Sequence, residues 1–319
     1  MAGVAPQPVD RGNAVSEVVQ RTAVDDSSRP TSGADARTPP APSPRTGVTV
    51  TPLTPTIGAE ISGVDLRDSL APAVVEQLRD ALHRHLVIFL RDQDITPDDQ
   101  LRFAREFGEV SIPAFTPKAS VSPEVSILDQ VNPRGEGADR WHTDNTYMTE
   151  PPMGSILRSV QIPAAGGDTC FASMYAAYEA LSPAFRATLD NLTAVHDITL
   201  TLQRAIDRGL VEVDLAELQR AWPPVHHPVV CTHPATGRRS LYVNSNWTTR
   251  IDGLSDEESH DVLQLLFNHV GSPQFQCRFR WTVNAIAFWD NRAVQHFAVA
   301  DYSERRIMHR VTVAGSRPQ

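Results

Sequence analysis

The stretch Arg306-Ile307-Met308-His309-Arg310-Val311-Thr312-Val313 reads as a β-strand. Side chains alternate across a strand, so Arg306 and Arg310, four residues apart, share one face. At roughly 3.3 Å per residue they stand about 13 Å apart along it. Two guanidinium groups on one inner face are costly without anions to pair with, and one small anion for each would resolve that cost. A salt-bridged surface strand is the ordinary alternative. Phe275–Trp281, Ala285–Trp289 and Gln295–Phe297 make the rest of the C-terminal portion strand-like as well.

Working outward, Val48–Thr51, Ile57–Ile61 and Leu86–Leu90 are strand candidates near the start of the ordered chain. Helices are predicted between the two strand-rich ends. One spans about 71–85, with Val74, Val75, Leu78, Ala81 and Leu82 on one stripe. A second opens at Thr96-Pro97-Asp98-Asp99, with Thr96 as N-cap and Pro97 at the first helical position. Met174–Leu181, Ala184–Leu192 and 199–222 follow, and Ser255-Asp256-Glu257-Glu258 is a capping box opening a helix to about His269. Further strands are expected at Val125–Leu128 and Ser155–Gln161, and a hairpin around Pro234-Ala235-Thr236-Gly237. Strands at both ends with helices inserted predict a mainly β fold, a double-sheet jelly roll buttressed by helices.

Chemistry concentrates in Trp141-His142-Thr143-Asp144-Asn145. In an extended segment His142 and Asp144 point the same way, so an imidazole nitrogen and a carboxylate oxygen can meet one metal ion. His296 supplies a third candidate far downstream, and a jelly roll brings distant strands opposite each other. Two His and one carboxylate with open positions is the facial arrangement of non-haem Fe(II) oxygenases. Singly, each residue has a plainer reading: a core histidine, or an Asp capping a turn. Zinc hydrolysis is a rival use of two His and an acid, but its helical His-Glu-x-x-His signature is absent. His226, His227, His233 and His309 have no matching carboxylate spacing and read as structural.

Composition bounds the partners. The chain has 319 residues and a net charge of −9, with a pI near 5.6, which argues against nucleic acid. No apolar run reaches membrane-spanning length, and the N-terminus lacks the pattern of a secretory signal. The three cysteines, Cys170, Cys231 and Cys277, are far apart and read as buried thiols of a cytoplasmic protein. Residues 1–46 contain no aromatic residue and end in a Pro-rich run from Thr38 to Pro44, so they are expected to be a disordered tail ahead of one domain over 47–319.

Trp141–Asp144, Gly166-Gly167-Asp168-Thr169, Phe288–Arg292 through His296, and Asp301-Tyr302 through Arg310 together resemble the taurine dioxygenase family, which includes the aryloxyalkanoate dioxygenases. The likeness spans about residues 50–316. It implies a double-stranded β-helix and an enzyme using Fe(II), 2-oxoglutarate and O2. By position it implies His142, Asp144 and His296 as the iron ligands, and Thr169 with Arg306 as the holders of the far carboxylate of 2-oxoglutarate. Arg310, with Trp247 and Asn145, would then face the acidic head of a small anionic substrate. Because Asp144 is present, iron has no spare site for chloride, so hydroxylation is implied rather than halogenation. Three departures point away from taurine itself. The sulfonate-binding His of the taurine enzymes would fall near Ile112-Pro113-Ala114-Phe115, Ala138 replaces an Asn, and Trp247 replaces a Phe. A larger carboxylate, sulfonate or sulfate ester, or an amino-acid-like intermediate of secondary metabolism, fits as well. A non-catalytic 2-oxoglutarate or iron sensor is the reading from another class, and homo-oligomerisation stays open.

Overall fold

The computed structural model describes residues 47–112, 122–133, 138–207 and 214–319. The predicted tail and Pro113 to Phe115 lie outside them. The described chain opens with β1 (Thr49–Pro52), β2 (Ala59–Ser62), α1 (Pro72–His85), β3 (Val87–Leu90) and α2 (Pro97–Arg105). It continues through β4 (Val110–Ser111), β5 (Ser126–Gln130), β6 (Gly154–Gln161), β7 (Thr169–Ser173), α3 (Met174–Glu179) and α4 (Pro183–Leu189). Next come β8 (Thr193–His196), α5 (Thr199–Asp207), α6 (Leu215–Ala221), β9 (Val225–Pro228), β10 (Val230–Thr232), β11 (Arg239–Leu241) and β12 (Thr248–Ile251). The last part holds α7 (Asp256–Val270), β13 (Gln276–Phe279), β14 (Ile286–Asp290), β15 (Val294–Ala298) and β16 (Arg306–Val313).

The fold is mainly β with several helices, arranged in more than one sheet. An eight-stranded sheet runs β1-β2-β3-β14-β6-β16-β4, with β5 also paired to β16. A three-stranded sheet runs β13-β7-β15. The central strands of the large sheet are buried on both faces, and period-2 alternation sorts their side chains between two cores. Val87, Phe89, Leu157, Ala287, Trp289 and Met308 point inward and meet Phe171, Cys277, Phe279 and Val294 of the smaller sheet. Ile88, Leu90, Ile156, Ile286, Phe288 and Val311 point the other way and pack under Leu78 and Leu82 of α1 and Leu101 and Phe103 of α2. Met308 lies between Arg306 and Arg310 in sequence and faces inward, so the strand carries both arginines toward the inter-sheet space.

Local chemistry sets the helix ends. Thr96 and Asp99 form a reciprocal capping box on α2, and Ser255 and Glu258 do so on α7. The predicted 199–222 helix is instead two, α5 and α6, separated by residues outside the described set. The strand expected from Ile57 begins later, at Ala59, because Gly58 sits at φ 88°, a turn conformation. The strand expected at Val125–Leu128 runs over Ser126–Gln130. The predicted hairpin is β10–β11, with Cys231 opposite Ser240. His233, read as structural, is fully buried with its Nε2 2.9 Å from Asp290 Oδ2. That partner is far away in sequence, which is why residue spacing gave no sign of it. No helix among the described residues is long and apolar enough to cross a membrane.

Candidate metal and cosubstrate site

The site grows from β15. His296 stands opposite Phe171 of β7 on one side, and on the other it forms an isolated bridge with His142. The bridge is a reciprocal pair of main-chain bonds, His142 N–H to His296 O at 3.1 Å and His296 N–H to His142 O at 2.8 Å. Thr143 Oγ1 donates to Val294 O at 3.0 Å, so the segment is fastened to β15 at His142 and Thr143 before the chain turns at Asp144. This puts the two imidazole rings 4.1 Å apart between centroids. Asp144 Oδ1 lies 3.8 Å from His142 Nε2 and 3.8 Å from His296 Nε2. One ligand atom from each of the three residues lies within 4.8 Å of the others, and all three residues are buried. The structure thus brings together the three residues that the sequence spread over half its length.

The donor set suits a divalent iron ion. His142 Nδ1 is 2.8 Å from Arg140 O, so that nitrogen carries the proton and Nε2 keeps a lone pair toward Asp144. Burial lowers the His142 pKa, and burial pushes His296 down to about 3. Both rings are therefore neutral near pH 7, as metal ligands must be. Burial alone would push the Asp144 carboxyl up, but His296, Arg310, His142 and Ser155 together outweigh it and hold the group at about 2. Two neutral imidazoles and one carboxylate on a buried wall fit Fe(II) with positions left open.

Arg306 is 3% exposed. Its guanidinium carbon sits 5.8 Å from the Trp281 ring, and Trp281 Nε1 donates to Thr169 Oγ1 at 3.0 Å. Trp281 therefore links the two residues expected to grip one carboxylate. Burial lowers the Arg306 pKa, opposed by Tyr302, and its Nε has no hydrogen-bond partner among the described residues. The Gly166-Gly167 turn makes room here: Gly167 sits at φ 72°, and a Cβ on it would meet Tyr302 at 3.3 Å and Arg306 Cδ at 3.4 Å.

Arg310 occupies the other side of the triad. Its Nη1 lies 3.6 Å from Asp144 Oδ1, and its Nε is likewise without a hydrogen-bond partner among the described residues. Trp247 is half-buried; its Nε1 donates to Thr143 O at 3.0 Å, and its ring lies 4.9 Å from that of Tyr147. Asn145 adopts φ 52°, a left-handed conformation that Asn tolerates, and its carbonyl accepts from Met148 N–H at 3.0 Å. The turn this makes swings the chain from the ligands into Tyr147. Sequence reasoning missed Ser155, Asn291, Trp281, Tyr302 and Tyr147. Asn291 and Tyr302 did stand inside the Phe288–Arg292 and Asp301–Arg310 runs, but nothing in those runs announced their partners.

Comparison with known proteins converges on the same chemistry. A family model described as "Taurine catabolism dioxygenase TauD, TfdA family" matches residues 49–312. An α-ketoglutarate-dependent sulfate ester dioxygenase of Pseudomonas putida is 40% identical, covering 84% of this chain and 90% of its own length. An alkylsulfatase of Acinetobacter baylyi is 35% identical, covering 82% and 84%. The crystal structure of a taurine dioxygenase from Burkholderia xenovorans superposes with a TM-score of 0.73 at 37% identity, over 85% of this chain and 90% of that one. With the family match over nearly all described residues and the three ligand candidates converged in the fold, the chain belongs to the taurine catabolism dioxygenase TauD, TfdA family.

Proposed function

We propose that this Fe(II)- and 2-oxoglutarate-dependent dioxygenase hydroxylates a sulfate ester at the carbon bearing the ester oxygen. The observation that carries the reading is the pair of guanidinium groups set apart along one strand, Arg306 buried against Trp281, which bonds Thr169, and Arg310 against the triad. Two anions can then be held at once, one on each side of the metal ligands. The kinship with a sulfate ester dioxygenase supplies the substrate class. We read the two facing sheets as a double-stranded β-helix and residues 47–319 as one dioxygenase domain, working in the cytoplasm.

His142, Asp144 and His296 would hold Fe(II), and Thr169 and Arg306 the far carboxylate of 2-oxoglutarate, whose geometry suits a forked guanidinium plus a hydroxyl. Bound together, the metal and 2-oxoglutarate supply O2-driven conversion of C–H to C–OH, with 2-oxoglutarate leaving as succinate and CO2. The protein's own task is to aim the substrate. Arg310 holds the sulfate, and the half-buried Trp247 and buried Tyr147 exclude water and wall the organic part. A hydroxyl placed on the ester carbon makes an unstable adduct, and its collapse breaks the C–O bond to give an aldehyde and sulfate. The test is a panel of an alkyl sulfate, an alkyl sulfonate, an aryloxyacetate and taurine, read as succinate. The alkyl sulfate is expected to lead and to release sulfate equal to succinate; a panel led by taurine contradicts the reading.

A further inference from the structure

Asp144 is held at both ends by residues with no place in the reaction described above. At its carboxylate, Ser155 Oγ donates to Oδ2 at 2.8 Å, while Oδ1 is the oxygen that faces both histidine Nε2 atoms at 3.8 Å. At its main chain, the Asn291 amide clamps it twice. Asn291 Oδ1 accepts from Asp144 N–H at 2.9 Å, and Nδ2 donates to Asp144 O at 3.0 Å and to Pro152 O at 3.1 Å. One N–H and two carbonyls around the amide fix which end is oxygen. Ser155 is 0% exposed, Asn291 1% and Asp144 3%, so water cannot replace any of these bonds.

The supports come from rigid parts of the fold. Ser155 lies in β6 opposite Trp289 of β14 and Thr312 of β16. Asn291 follows β14 directly, and Asp290 before it is tied down on all sides. His233 Nε2 lies 2.9 Å from Asp290 Oδ2, and Arg292 reaches both oxygens at 2.8 and 2.7 Å. His233 Nδ1 in turn accepts main-chain N–H groups of Ala235 and Thr236 at 3.2 and 3.1 Å. The hairpin turn is thus hydrogen-bonded to Asp290, which the chain joins directly to Asn291, and Asn291 is hydrogen-bonded to Asp144.

We infer that Ser155 and Asn291 are positioning residues that preset Asp144, Asn291 fixing its backbone and Ser155 occupying Oδ2 so that only Oδ1 is offered to the metal. Outer partners of metal ligands commonly matter about 10–100-fold in affinity. The inference rests on Asp144 being a metal ligand.

The test is anaerobic Co(II) titration of the metal-free full chain, followed by visible absorption, beside thermal melts without metal. Asn291→Asp matches the side chain in size, keeps an acceptor for the Asp144 amide and loses the donors. It is expected to weaken Co(II) about 10–100-fold. Ser155→Ala is expected to weaken Co(II) about tenfold and change the shape of the absorption band. Ser155→Thr, which keeps the hydroxyl, is expected to restore the parent band. Parent-like affinity and spectra in both Asn291→Asp and Ser155→Ala overturn the inference. So does an equal loss in Ser155→Ala and Ser155→Thr, which marks a packing role. If Asn291→Asp fails to fold, the Ser155 pair decides alone. Asp144→Ala, run alongside, separates the two claims. Co(II) bound normally there overturns the ligand assignment, whereas binding lost only there overturns the positioning role.

Discussion

The Arg306 side of the site and the Arg310 side are built differently. Arg306, Thr169 and Trp281 are all buried, next to the inward core where Phe89 stacks on Phe279 at 4.0 Å. Arg310 lies against Asp144 and within electrostatic reach of Tyr147, which belongs to a small satellite cluster with Ile198 and Leu218, where Met148, Leu202, Trp222 and Trp247 are only partly buried. Helix α5, which contributes Leu202, has no buried residue at all. One side is continuous with the main sheets and the other leans on two short helices. The contrast suits a site whose cosubstrate is fixed and whose substrate is set by what lines the second half.

The largest effect should come from the residues the two sides share. His142→Ala, Asp144→Ala and His296→Ala are each expected to abolish metal binding and succinate formation while the protein still melts cooperatively, as calorimetry and Fe(II) titration would show. Full oxygen-dependent activity in any of them would break the assignment. The packing contrast predicts the next effect. Phe89→Ala should cost about 3–5 kcal/mol of stability, and Leu218→Ala only about 2 kcal/mol, the low end for a buried leucine. Urea unfolding measures both, and equal losses would erase the distinction drawn here. Trp247→Ala removes a wall and a donor to Thr143 O on the substrate side only. It should lower kcat/KM for the sulfate ester about 5–30-fold, the equivalent of about 1–2 kcal/mol, with 2-oxoglutarate affinity unchanged.

The smallest effect expected is that of pH on metal uptake. Burial lowers the pKa of both histidines, so protons compete with metal only at lower pH than for ordinary imidazoles. Between pH 6 and 8, Co(II) affinity should change less than about threefold. Two histidines at the usual pKa of about 6.5 would give a gain of about 15-fold with rising pH. A gain of that size would show that the rings titrate normally.

Much of the fold and of the site is legible in the sequence. Ala285–Trp289 was legible as a continuous apolar run because the strand is buried on both faces, and capping boxes marked α2 and α7 because those signals are local. The triad was legible because His142 and Asp144 share a short motif. Ser155, Asn291 and Trp281 were not. Ser155 reads as any strand residue, and only the placing of the 142–144 segment beside β15 brings Asp144 to it. His233 found Asp290 by the same kind of long-range placement. The start of a separate α6 was missed although its signal is local: Asp214 caps the helix by accepting from the N–H groups of Ala216 and Glu217.

The division of labour between the two arginines is tested most directly by titrating 2-oxoglutarate into metal-loaded protein, anaerobically and without substrate. Losing Arg306 strands a buried carboxylate at a cost of about 3–5 kcal/mol, so Arg306→Leu should weaken 2-oxoglutarate by roughly 100- to 4,000-fold. Arg310→Leu should leave that affinity within about threefold and instead raise KM for the sulfate ester. Normal 2-oxoglutarate binding in Arg306→Leu, or equal losses in both variants, would contradict the account.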